Sequence, residues 1–204
     1  MEKSIITISR EYGSGGRKIG EILAQELGVP FYNREIIQLA AEKIGVSAGF
    51  IEESDERIPN TFLHNLTYTT YTSYDYIAMY DTPVTDKVYL AQSTIIKELA
   101  SQGSCVIVGR CADYVLRDDP ALITVFIRSM LEDRVNRAVE EYELSTEKAV
   151  ETVKKIDKSR KNYYKYYTNR SWGNVDNFDL AINSSFTGVE GAVAIIKTML
   201  SIKK

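Results

Sequence analysis

Four short apolar runs recur along the chain with helical patterns between them, and this alternation is the strongest constraint on the fold. The runs are Ile5-Ile6-Thr7-Ile8, Cys105-Val106-Ile107-Val108, Ile123-Thr124-Val125-Phe126-Ile127 and Leu180-Ala181-Ile182. Continuous apolar runs of this kind read as strands of a parallel sheet buried on both faces. Pro30-Phe31-Tyr32 is a candidate for one more. The stretch 16–27 sets Ile19, Ile22, Leu23 and Leu27 on one helical face and stops at Gly28. Further helices are expected over 34–44, 85–101, 130–142, 145–167 and 188–202. Strands alternating with helices predict an α/β fold of three layers, a parallel sheet flanked by helices, with ligands at the carboxyl ends of the strands.

A length of 204 residues suits a single α/β domain over 1–204 with a small insertion. A net charge of −3 gives no overall basic field, so bulk nucleic-acid binding is not expected. No run reaches the roughly 18 apolar residues of a membrane span. The first strand follows the N-terminus almost directly, without a signal-peptide pattern, and the expectation is a cytoplasmic protein. Cys105 and Cys111 stand outside any metal-ligand spacing and read as free thiols, with a disulfide as the lesser reading. His64 is the single histidine, which excludes chemistry that needs a histidine pair.

Behind the first strand comes Gly13-Ser14-Gly15-Gly16. Strand, glycine-rich turn, helix is the setting in which backbone N–H groups and a helix N-terminus face an anion. The full fingerprint is G-x-x-x-x-G-K-[ST]. Only Gly15 fits it: Arg10 stands at the first glycine, Gly16 at the lysine and Arg17 at the hydroxyl residue. Arg17 and Lys18 offer positive charge one or two places late, but neither replaces a hydroxyl as a Mg²⁺ ligand. A turn that merely packs helix on strand is the competing reading.

Arg110 follows Gly109 at the end of the second main run, at the edge where ligands bind, and its fork suits a phosphate. The stretch 154–170 carries seven basic residues against one acid, interleaved with tyrosines. Asp157, Arg160 and Tyr164 share a helical face there, and Arg160 is the candidate for neutralising a transferring phosphoryl group. A solvated helix with tyrosines on the core is the alternative, and a single-stranded nucleic-acid platform a weaker one. Two segments interrupt the alternation: 46–84, and 157–177 before the last strand. Insertion plus basic segment is the layout of a small kinase with an acceptor-binding part and a lid. The tract 68–76, rich in Tyr and Thr, suits base or sugar recognition or a contact between subunits of a homo-oligomer.

Together these segments resemble the cytidylate kinase-like family among the P-loop nucleoside monophosphate kinases. The carriers are Ile8 to Gly16, Phe31-Tyr32-Asn33-Arg34-Glu35, Val106 to Asp113, Asp157 to Tyr164, and Asn183-Ser184-Ser185. The resemblance implies a P-loop kinase fold in which Gly13, Ser14, Gly15 and Gly16 form the ATP phosphate loop, with Arg17 and Lys18 the nearest cations. It implies that Arg110 serves the acceptor nucleotide, and that Asp157 and Arg160 belong to the lid. Cytidylate kinases proper carry the loop lysine and an aspartate before the Gly-Arg pair; this chain has Gly16 and Val108.

The expected function is therefore an ATP-dependent transferase, a kinase acting on a nucleoside monophosphate such as CMP or dCMP. Arg17, Arg110 and Arg160 would be catalytic, and Mg²⁺ would be held mainly by the nucleotide, its protein ligands unassigned. A small-molecule nucleotide is the expected partner. The alternative is a non-catalytic nucleotide-binding or regulatory protein that retains the fold.

Overall fold

The computed structural model describes residues 3–45 and 84–202. Nearly all of the insertion expected over 46–84, with His64 and the tract 68–76, lies outside the described residues.

Five strands, β1 (Ile5–Arg10), β2 (Phe31–Tyr32), β3 (Cys105–Val108), β4 (Leu122–Arg128) and β5 (Leu180–Asn183), form one sheet in the order β2-β3-β1-β4-β5. Every pairing is parallel, so all carboxyl ends meet at one edge. Central β1 sets Ile8 opposite both Val108 and Val125. The helices are α1 (Gly16–Leu27), α2 (Glu35–Ile44), α3 (Val84–Ser101), α4 (Ala112–Val115), α5 (Leu131–Glu140), α6 (Thr146–Thr168) and α7 (Ser184–Ile202).

Successive side chains of a strand point to opposite faces, which gives each strand two cores to fill. Ile5 and Ile107 pack with Ile36 of α2 and Ile95 and Ile96 of α3. Ile6 and Ile8 pack with Ile19 and Leu23 of α1 and Ile196 of α7. Each such isoleucine contributes roughly 1.5–3 kcal/mol when fully buried. The result is the expected three-layer α/β arrangement.

Three differences from the sequence reading bear on the site. β1 runs two residues further than its apolar stretch, because Ser9 and Arg10 stay in register with Phe126 and Ile127. The lid-type segment begins inside a continuous helix, α6, and a short 3-10 turn follows at Val175–Asn177. The last helix starts at Ser184, turns through a left-handed Gly188 and continues to Ile202. By length and mean hydropathy alone α7 is apolar enough to cross a membrane, although Glu190 and Lys197 interrupt it, so it is not an unbroken apolar run. Here it lies on α1, with Ala192, Val193 and Ile196 buried. Both cysteines are buried free thiols, and burial pushes Cys105 up to about 11.

Candidate functional site

A cavity of about 540 Å³ opens at the carboxyl edge of the sheet. The end of β1 and its loop supply Arg10, Glu11, Tyr12, Gly13 and Gly15, and α1 supplies Gly16 and Arg17. Asn33, Arg34 and Ile37 border it from the start of α2. Arg110, Tyr142 and Arg160 complete the wall. Among the described residues that line it, five are arginines and one, Glu11, is an acid.

The loop is held from outside. Gly13 sits at φ +76, and a Cβ there would overlap the carbonyl oxygen of Arg134. Arg134 Nη1 donates to Tyr12 O at 3.4 Å, and Arg137 Nη1 to Gly13 O at 2.6 Å. Ser184 Oγ donates to Ser14 O at 2.7 Å. Three consecutive loop carbonyls are thus engaged by α5 and α7. The first turn of α1 leaves its amides without helical partners at the cavity. The loop acceptors are thus turned away from the cavity; the Tyr12 and Ser14 amides are engaged by Asp157 and Glu11 O, which leaves the amides of the α1 N-terminus for an anion.

Asp157 couples the loop to α6. Its carboxylate accepts from the Tyr12 amide at 2.8 Å and is ion-paired to Arg134. Arg134 also faces Glu11 at 3.6 Å, while Glu11 accepts from the Ser129 amide at 2.9 Å. One turn on, Arg160 Nη1 donates to Arg10 O at 3.3 Å and lies over the Tyr12 ring. Tyr12 packs on Tyr142, with ring centres 5.4 Å apart. Burial pushes the Tyr12 phenol up, Tyr142 adds to this, and the charge of Arg160 opposes it. A turn further, the Tyr164 hydroxyl donates to Asp113 Oδ2 at 2.7 Å. The shared face of Asp157, Arg160 and Tyr164 is therefore the face α6 turns to the site. Tyr163 and Tyr164 are buried beside Cys111, so this part of the tyrosine cluster is core.

At the end of β3 the backbone is strained. Gly109, Arg110 and Cys111 take positive φ in succession, 81°, 55° and 54°. Left-handed non-glycine residues persist only where their surroundings fix them, and they cluster at functional sites. Here the strain turns the buried Arg110 side chain along the cavity wall, its Nη1 donating to Val108 O at 3.4 Å. Asp113 falls on α4 behind it, and burial raises its carboxyl above the usual range.

The sequence of this site is also its kinship. The sequence profile of the cytidylate kinase-like family matches residues 5–186. The chain belongs to that family. A cytidylate kinase from Ignicoccus hospitalis is 24% identical over 198 residues, covering 97% of this chain and 99% of its own length. An uncharacterized protein from Eubacterium ventriosum has a solved structure of TM-score 0.73 and 25% identity, covering 98% of this chain and 100% of that one. Shikimate kinase from Bacteroides thetaiotaomicron, at 13% identity and TM-score 0.56, covers 98% and 99% of the two chains and shares the P-loop kinase fold. Family and fold together support a kinase-type phosphotransferase.

Within this cytidylate kinase-like chain the residues singled out from sequence are distributed unevenly. Gly13, Gly15, Gly16, Arg17, Arg110 and Arg160 line one cavity. Ser14 is fully buried, its hydroxyl donating to Glu11 O at 2.8 Å, so it braces the loop from within. Lys18 is outside the lining and faces Glu21 at 4.0 Å on the surface of α1. Arg10 and Arg34, and the loop braces Arg134 and Arg137, were not assigned roles from sequence. A signal for the last pair exists: two arginines three apart on the helix after β4 share a face.

The described residues include no group of three or more His, Cys, Asp or Glu placed to hold a metal. Arg17 stands where a loop hydroxyl would ligate Mg²⁺, and Glu11 is already engaged by Arg134 and Ser129. The glycine loop, the α1 N-terminus and the cationic wall fit the phosphates of a nucleotide.

Proposed function

We propose that this protein is an ATP-dependent kinase that transfers the γ-phosphoryl group to a nucleoside monophosphate such as CMP or dCMP. The observation that carries the reading is five arginines and a single engaged carboxylate around one cavity at the phosphate loop. A site with that balance suits two anions brought together, a triphosphate donor and a phosphorylated acceptor. Gly13, Gly15 and Gly16 would present amides to the donor, and Arg17 would add charge beside them. Arg110 would hold the acceptor phosphate. Arg160, on the α6 face that meets the loop, would neutralise charge on the group in transit. Mg²⁺ would be held chiefly by the nucleotide's own oxygens. Phosphoryl transfer asks for positioning and charge, and these residues supply both.

The test is transfer from γ-labelled ATP with Mg²⁺ to CMP, dCMP, UMP, AMP and GMP, resolved by chromatography. A labelled diphosphate from one acceptor is the expected result. Gly16 in place of the lysine favours a second reading, a nucleotide-binding protein without turnover. That reading predicts a raised melting temperature with nucleotide and no product.

A further inference from the structure

We infer that Arg10 takes over in space the work of the lysine that the loop lacks, and that Gly16 is glycine because Arg10 occupies that place. The inference rests on the kinase reading and assigns one more phosphate-binding residue to it.

Arg10 is the last residue of β1, and alternation puts it on the same face as Ile6 and Ile8. Those two pack against α1. The Arg10 side chain therefore leaves the strand on the α1 side, directly in front of the first residue of that helix. A Cβ at Gly16 would stand 2.6 Å from Arg10 Cβ and 3.1 Å from its Cγ. Side chains at 10 and 16 exclude each other. The far end of Arg10 reaches Gly109, where an added Cβ would stand 3.0 Å from Cζ and overlap Nη1. Two glycines frame one arginine, Gly16 beside its stem and Gly109 beneath its head.

That path brings the guanidinium over Gly109, the residue before Arg110, and Arg10, Gly16 and Arg110 line the same cavity. A lysine at position 16 would reach the β- and γ-phosphates from the helix. Arg10 brings charge to the same wall from the strand, with a planar fork that can engage two oxygens at once. In the transfer, the bond from the γ-phosphorus to its bridging oxygen breaks and a bond to an acceptor phosphate oxygen forms. ADP leaves with the electron pair of the broken bond. Arg10 donates hydrogen bonds to the moving group and exchanges no proton with it.

The exclusion between 10 and 16 makes the inference reciprocal. Wild type, Arg10→Met, Arg10→Lys, Arg10→Gly, Gly16→Lys and the double variant Arg10→Gly/Gly16→Lys are compared for ATP affinity by titration and for turnover. A thermal melt of each establishes that it folds. Arg10→Met is expected to lose roughly tenfold in ATP affinity and about a hundredfold in turnover. Arg10→Lys should fall between it and wild type. Gly16→Lys should also be impaired, because its lysine meets Arg10. The double variant should surpass Arg10→Gly alone in both readouts, since removing the Cβ at position 10 gives the lysine room. Wild-type affinity and turnover in a folded Arg10→Met would overturn the inference, as would a folded double variant no better than Arg10→Gly. Failure of wild type itself to bind ATP would instead sink the kinase reading, and the inference with it.

Discussion

Asp113 is an acid that the fold hides, 3% exposed at the start of α4. Tyr164 donates to it at 2.7 Å, and Ser9 Oγ lies 3.5 Å from its other oxygen. Burial outweighs these donors, so the carboxyl titrates above its ordinary range. A raised acid favours the folded state most below the unfolded value of about 3.9, and that advantage is lost as pH rises through the folded value. Asp113→Asn should therefore gain on wild type between pH 4 and pH 7, with the gap in unfolding free energy levelling off once the folded carboxyl has ionised. Urea melts of the two proteins across that range measure it, and a gap independent of pH would contradict it. Tyr164→Phe removes the strongest donor and should cost about 1–3 kcal/mol, more on the alkaline side of the Asp113 titration than on the acid side, because the ionised carboxylate needs the donor most. The phenol itself is pushed up, by burial first and then by the charge of Asp113, so it stays a donor throughout.

The loop, α5 and α6 form a unit through Arg134, whose side chain is 10% exposed and meets both Asp157 and Glu11. Asp157→Ala leaves that guanidinium buried with the more distant carboxylate alone. The expected loss is about 3 kcal/mol, the low end for breaking a buried pair, together with weaker nucleotide binding, because the Tyr12 amide loses its acceptor. Equal stability in a denaturant titration would show that the brace is dispensable. Elements of this unit were legible in sequence to different degrees. Apolar runs gave away the strands, and the 3.6-residue period gave away the helices that carry the apolar faces. The last two residues of β1 escaped because Ser9 and Arg10 are polar, while strand pairing to Phe126 and Ile127 is made by backbone and ignores side chains. Those two residues reach Asp113 and the cavity. Arg134 and Arg137 escaped for a related reason: their acceptors are loop carbonyls more than a hundred residues away, and no local pattern encodes that distance. Arg110 and Arg160 were legible because each stands beside a signal that is local, a glycine after a strand or a run of cations.

Across the whole molecule the charge is divided. The chain carries a net −3, yet the cavity wall has five arginines to one acid. An anion is thus drawn to one mouth on a protein whose net charge has the anion's own sign, and screening should weaken the two effects unequally. At about 0.1 M salt the Debye length is near 10 Å, short enough to mask the distant acids while the arginines in contact still act. Raising salt from roughly 0.05 to 0.5 M should then weaken ATP binding by an order of magnitude or less, because contact hydrogen bonds persist. The ligand would bridge the loop, the start of α2, the end of β3 and the face of α6. At a hundred times its dissociation constant it should stabilise the fold by about 2.7 kcal/mol. Thermal melts with ATP, CMP or inorganic phosphate, each at low and high salt, read both quantities together. A shift with ATP that survives high salt while that with phosphate disappears would mean that base and ribose contacts add to the arginines. Equal sensitivity of all three would mean that the site recognises charge alone, and acceptor choice would then have to come from residues outside the cavity wall.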